Sequence, residues 1–235
     1  MDAYLKSLVN NKAVNFARWD DVFKNYLAAT FGENDFDEEK YKQIILDTHS
    51  VFVEIINVYL NYGKFQDNWS TPSFFAPPFT LETEIKSQKL NCGFTFGADE
   101  EGFFLESYIH HPENLRNMND EFWKDLIELS KFGKFEFIEN VSPWEALEQE
   151  RKPSLKNTNS SIFRLLRNYV LLNLHNSDLS DFGSLSVKWS SHESWESLLI
   201  AGSQAFKILY KTNYSLWRTS YIRNTGRKYN KSSKL

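Results

Sequence analysis

Three groups of side chains in this 235-residue chain have the types and spacing to do chemistry. The first is Glu84-Ile85-Lys86. Residues two apart on an extended strand share a face. A carboxylate and an ammonium placed in this way can hold a divalent cation and orient an attacking water. Glu54 and Asp67 are the upstream acids such a site would draw on. The second group is His110-His111 with Glu113 close by, imidazoles able to bind metal or move protons. Adjacent strand residues point to opposite faces, so both rings cannot easily meet one ion, and the better reading is a solvated strand end before Pro112. The third is the segment from Arg223 onward, where Arg227, Lys228, Lys231 and Lys234 follow with Tyr221 and Tyr229 interleaved. Cations with stacking rings are the makings of single-strand nucleic-acid binding.

Other chemistry is missing. No phosphate-binding or dinucleotide glycine motif occurs, and no nucleophile elbow or zinc-protease pair. Asp35 to Glu39 lacks the central glycine and spaced oxygens of a calcium loop and reads as a helix N-terminal cap. Cys92 is the only cysteine, so no intramolecular disulfide and no cysteine-based zinc site can form within the chain. No cofactor and no metal centre are expected. A reducing compartment follows from the cysteine count. Met1 to Asn10 lacks the apolar core of a signal peptide. No apolar run approaches the roughly 18–20 residues that span a bilayer. The expected location is the cytoplasm, away from membranes. The abundance of Asn, Lys, Phe, Tyr and Ile would fit an AT-rich bacterial genome.

The elements that must position these groups follow from periodicity. Apolar residues at spacings of three and four predict a helix over the first 30 residues and another over 38–62, ended by Gly63. Phe65 to Phe79 is a proline-stiffened aromatic loop, in which Pro77-Pro78 excludes helix and interior strand. Period-two alternation then puts Phe79, Leu81, Thr83 and Ile85 on one side and Thr80, Glu82, Glu84 and Lys86 on the other. Cys92, Phe94 and Phe96 pair with Phe103, Leu105, Ser107 and Ile109 across the turn Gly97–Gly102, completing a meander. A helix near 119–132 and a strand over 134–139 follow. A capping box at Ser142–Glu145 starts a short helix, and 151–160 is the best linker. A helix over 161–175, a strand through Leu185, Val187 and Trp189, and a helix over 192–210 with a capping box at Ser190 and Glu193 complete the pattern. The fold class is α+β, a mainly antiparallel sheet (central meander plus later strands) with helices packed against it and a helical N-terminus. One domain over 1–222 is expected, with a loose basic tail at 223–235.

Charge divides unevenly. Residues 1–150 hold 27 of the 31 acids and 13 of the 27 bases; residues 151–235 hold the other 4 acids and 14 bases. The net charges are therefore −14 and +10. The plainest account is internal neutralisation, basic C-terminal elements packing beside the acidic half. The functional account is an acidic face that steers a basic partner, with aromatic anchors to exclude water. With 20 Phe, 11 Tyr and 7 Trp, the chain has rings enough for a core and a recognition surface. The candidate partner-binding residues are Glu82, Glu84, Asp99, Glu100, Glu101 and Glu106 on and beside the sheet, with Trp69 as anchor.

A chain without nucleotide, metal or nucleophile motifs is better suited to binding a protein than to turning over a substrate. In general style it looks like the immunity proteins that neutralise toxins in contact-dependent and secretion-system competition. Many of those are small acidic cytosolic proteins that cover a basic active site. No motif of such a family is matched residue by residue. The expected partner is thus a protein with a basic surface, such as a toxin, and the oligomeric state is left open. From a different class, the acid-x-Lys pair resembles the core of the restriction-type nuclease motif. That resemblance implies a metal-dependent nuclease using Glu84 and Lys86, although the acid which that family carries on its preceding strand has no clear counterpart. A third reading is a nucleic-acid binder acting through Arg223, Arg227, Lys228 and Lys231. It is disfavoured because the acidic remainder would repel phosphate.

Overall fold

Leu81, Thr83, Ile85 and Ser87 are buried while Glu82, Glu84 and Lys86 between them are not, so the alternation read over this stretch is a strand with one side in the core. The computed structural model describes residues 24, 26–28, 32, 38–76, 79–139, 158–174 and 182–232. Helix α1 spans Glu38–Gly63. Strands β1 (Ser73–Phe75), β2 (Leu81–Ser87), β3 (Cys92–Ala98) and β4 (Gly102–Tyr108) follow. A 3-10 turn at Pro112–Asn117, helix α2 (Asp120–Glu128), a second 3-10 turn at Leu129–Lys131 and β5 (Lys134–Glu139) come next. Helix α3 (Thr158–Leu174), β6 (Gly183–Ser190) and helix α4 (Trp195–Ser232) complete the order. The six strands form one antiparallel sheet in the order β1-β2-β3-β4-β6-β5. The chain is an α+β protein. No helix among the described residues is long and apolar enough to cross a membrane.

The described chain divides by compactness into two units. The first comprises residues 1–89, 93–106 and 188–207. Its core is aromatic. Phe52 of α1 meets Phe96 of β3 edge-on at 5.1 Å, and Tyr59 meets the same ring at 6.0 Å. Phe206 of α4 is fully buried, with Phe94 at 4.9 Å and Tyr59 at 5.8 Å. The Tyr59 phenol donates to the Leu198 carbonyl at 3.2 Å, and burial pushes its pKa up. Residues 24 and 26–28 are helical, and Tyr26 stacks on Tyr41 of α1. The rest of the expected N-terminal helix lies outside the described residues.

The second unit comprises residues 90–92, 107–187 and 208–235. Phe137 of β5 packs on Phe182 at 5.4 Å. Helix α3 lies along β5 and is tied down by polar bonds. The Ser161 hydroxyl donates to the Phe135 carbonyl, and the Asn168 amide donates to the Phe182 carbonyl. The expected capping box at Ser142–Glu145 and linker residues 151–157 lie outside the described residues, and α3 begins at Thr158.

Several boundaries differ from expectation for local reasons. It is Lys64, not Gly63, that takes the left-handed backbone after α1. Gly63 is needed because the Phe65 ring fills the place of its Cβ, 2.0 Å away. Phe79 also has a positive φ of 72°, so it stands exposed outside β2 instead of joining its buried side. Helix α4 itself is capped by Ser194, whose hydroxyl accepts from the Ser197 amide, while the Ser190 hydroxyl accepts from the His192 amide in the turn before it. The backbone of 223–232 is helical where a loose tail is expected. Extending an existing helix fixes one residue per bond gained, which is far cheaper than nucleating a new one.

Candidate functional site

The aromatic loop does not stand away from the sheet. Its backbone runs back along β2, with Trp69 bridging Ser87, Ser70 N bonded to the Lys86 carbonyl, and β1 paired antiparallel to β2. Ser73 lies opposite Glu84, Phe74 opposite Thr83 and Phe75 opposite Glu82. Direct partners share a face, so Phe74 turns inward, where it stacks on His49 at 5.2 Å. Phe75 turns outward and is 48% exposed, beside Glu82. Trp69, the anchor expected from sequence, is taken up by packing. Its ring meets Phe65, Phe94 and Phe206 at 5.7–5.9 Å.

Glycines floor this outer side. Glu84 lies over Gly93, its Oε1 2.9 Å from where a Cβ would stand. The Phe104 ring lies over Gly97 in the same way. Asp99 and Gly102 exchange backbone bonds of 2.9 and 3.3 Å around Glu100-Glu101. Counting back from that turn sets Thr95 opposite Glu106, so Glu106, half-buried, joins the outer side. Of the candidate acids, Glu82, Glu84 and Glu106 therefore share one side of the sheet, and Lys86 shares it with them. Glu82 accepts from the Thr80 hydroxyl at 2.8 Å.

The hairpin acids have a different occupation. Asp99 Oδ1 accepts from the amides of Glu101 and Gly102 at 2.8 and 3.0 Å, which shapes the turn. Lys188 of β6 stands 3.8 Å from Asp99 and 3.9 Å from Glu101. Glu100 is exposed at the tip.

The acid-x-Lys pair lies on one face as its spacing requires, but Asp67 is bonded elsewhere. Asp67 accepts from the Ser87 hydroxyl and from the Lys89 amide, closing the β2–β3 turn. Among the described residues, no three His, Cys, Asp or Glu side chains gather to hold a metal ion.

The histidine pair lies past the end of β4, just before the turn at Pro112, and the two rings have different surroundings. His110 is exposed, while His111 joins a polar cluster that sequence distance conceals. Asn114, fully buried, donates to the Leu216 carbonyl at 2.9 Å and to the Ser220 hydroxyl at 2.7 Å, and its own oxygen accepts from Arg223. Ser220 donates to Glu113 at 3.0 Å and lies 3.3 Å from His111 Nδ1. His111 Nδ1 is also 3.4 Å from Glu113. A Ser-His-acid relay needs the serine and the acid on different ring nitrogens. Here both meet Nδ1, so the cluster fastens the second half of α4 and does not activate a nucleophile. Asn114→Ala removes the hub and leaves a buried carbonyl and guanidinium short of partners. A loss of about 3 kcal/mol is expected in urea unfolding.

Arg223 is thus committed inside its unit. The side chains of Arg227, Lys228 and Lys231 lie outside the described residues. Lys211, further back on α4, bonds Glu121 at 2.8 Å and Asp125 at 2.9 Å. Those bonds raise the Lys211 pKa, and the Lys211 bond holds Glu121 below its ordinary range. The depressed Glu121 stabilises above its unfolded pKa of about 4.3, and this is lost as pH falls through the folded value. The raised Lys211 stabilises fully below about 10.4, and this is lost as pH rises through the folded value. Lys211→Met should therefore lower stability slightly between these limits, since the pair is largely exposed, and flatten its dependence on pH, with the difference from wild type vanishing at both extremes. Thermal melts across the pH range check this.

Comparison with protein-family models, with curated proteins and with solved structures finds no match for this chain.

Proposed function

We propose that the chain is a protein-binding domain that receives a basic partner on the outer side of the β1–β4 sheet, in the manner of an immunity protein covering a toxin's basic active site. One observation carries the reading: the β1–β2 register sets exposed Phe75 directly opposite Glu82, two residues from Glu84. An aromatic anchor beside carboxylates suits a partner that presents cations around an apolar spot. The anchor is Phe75 and not Trp69. Glu82, Glu84 and Glu106 supply the field, with Glu100 at the hairpin tip. Asp99 and Glu101 contribute less, because Lys188 offsets them.

Co-expression with the product of the reading frame next to its gene tests the reading. The expected result is a stable complex and relief of that product's toxicity, both lost in Phe75→Asp. No complex and no relief would overturn it. The nuclease reading gains no support, because Asp67 is committed to a turn and, among the described residues, no three His, Cys, Asp or Glu side chains gather to hold a metal ion.

A further inference from the structure

Helix α3 buries one side and leaves a second apolar side open. Ser161, Leu165 and the bonded Asn168 face the unit's core. Phe163, Leu166 and Val170, spaced by three and four on the opposite side, are 68%, 40% and 50% exposed. Large apolar residues in a contiguous row mark a place where something docks. Arg167, exposed, sits in the middle of the row, one turn from both Phe163 and Leu171. The helix carries no Asp or Glu, and its other cation, Arg164, is already paired with Glu139 at 3.4 Å.

We propose that this row is a docking site for an acidic amphipathic helix of another protein, its apolar face on Phe163, Leu166 and Val170 and a carboxylate on Arg167. Charge decides the occupant. A second copy docking by a two-fold axis through the middle of the row would bring Arg167 against its own equivalent, with no acid on the helix to offset the repulsion. An amphipathic helix laid in a groove reads anchors at this spacing, and glutamates flanking its apolar stripe would meet Arg167. The site is independent of the acidic sheet face and opposite to it in charge.

The probe is a synthetic helical peptide with Leu at i, i+3 and i+7 flanked by Glu, labelled for fluorescence anisotropy and titrated against the full-length protein. Its counterpart with Lys for Glu is the control. The expected result is saturable binding of the acidic peptide only, weakened roughly tenfold or more by Arg167→Glu and by Val170→Asp. Both substitutions fall at exposed positions, and circular dichroism verifies that the variants fold. Equal binding of both peptides, or affinity unmoved by the two substitutions, overturns the proposal. So does a concentration-dependent dimer abolished by Val170→Asp, which would assign the row to a second copy. Tighter peptide binding after Trp144→Asp would assign it to the chain's own preceding segment and overturn it equally.

Discussion

Phe206→Ala is expected to destabilise the protein by about 4 kcal/mol, the largest effect of any single side-chain truncation proposed. Phe206 has no exposed surface, and four rings surround it: Phe94, Phe65, Tyr59 and Trp69, all within 5.8 Å between centroids. Truncation loses the transfer free energy of the ring and leaves a cavity that stiff aromatic neighbours cannot close. These neighbours come from α1, from the loop before β1 and from β3, and Phe206 itself from α4, so the hole weakens these elements of the first unit together. A fall in melting temperature of about 10 °C should accompany it. Near-ultraviolet circular dichroism should lose intensity, since Trp69 and Tyr59 would lose their fixed setting. Phe206→Leu keeps most of the volume and should cost about 1–2 kcal/mol. A loss below about 1 kcal/mol for the alanine variant would mean that the cluster repacks freely.

Gly102→Ala is the second large effect, and its cause is the backbone. Gly102 has φ of +146°, a region that side-chain-bearing residues rarely adopt. A Cβ there would lie 2.1 Å from the Trp189 carbonyl oxygen and 2.7 Å from the Ser191 amide. Both atoms belong to the neighbouring chain segment, so relief requires moving β6 itself. The expected cost is about 3 kcal/mol or more, read by chemical denaturation and by a fall in soluble yield. Gly93→Ala is the matched control. The Cβ it adds would meet the end of the Glu84 side chain, which can swing away. Its cost should stay below about 1 kcal/mol. Equal losses at the two positions would contradict this account of the hairpin.

The parts legible from sequence are those that local chemistry dictates. The buried side of β2 follows from alternation at Leu81, Thr83 and Ile85, and the hairpin expected across Gly97–Gly102 is present, closed more tightly at Asp99–Gly102. The limits of β5 follow in the same way. What stayed hidden depends on partners distant in sequence. Nothing near Ser73–Phe75 announces a strand, because that strand exists through its register with β2. Insertion of β6 between β4 and β5 has no local signal either. Asn114 reads as an ordinary loop residue until α4 brings Leu216, Ser220 and Arg223 to it.

The charge division was legible, but its meaning was not. Lys188, Lys211 and Arg164 each pair with acids from the earlier part of the chain, so part of the asymmetry is neutralised internally. The spacing of Glu82 and Glu84 reveals the outward side of a strand. That Phe75 and not Trp69 stands beside them needed the fold. A proline-stiffened aromatic loop offers several rings, and only the register decides which one is left outside.

The central claim is that the acidic outer side of the sheet, anchored by Phe75, binds a basic partner. The most direct measurement is a calorimetric titration of the adjacent reading frame's product into wild type and into the double variant Glu82→Lys, Glu84→Lys, at low and at physiological salt. The account predicts that the double variant binds roughly a hundredfold more weakly at low salt, and that wild-type affinity falls with added salt while the variant's does not. Equal affinity of the two proteins, with the same response to salt, would contradict it.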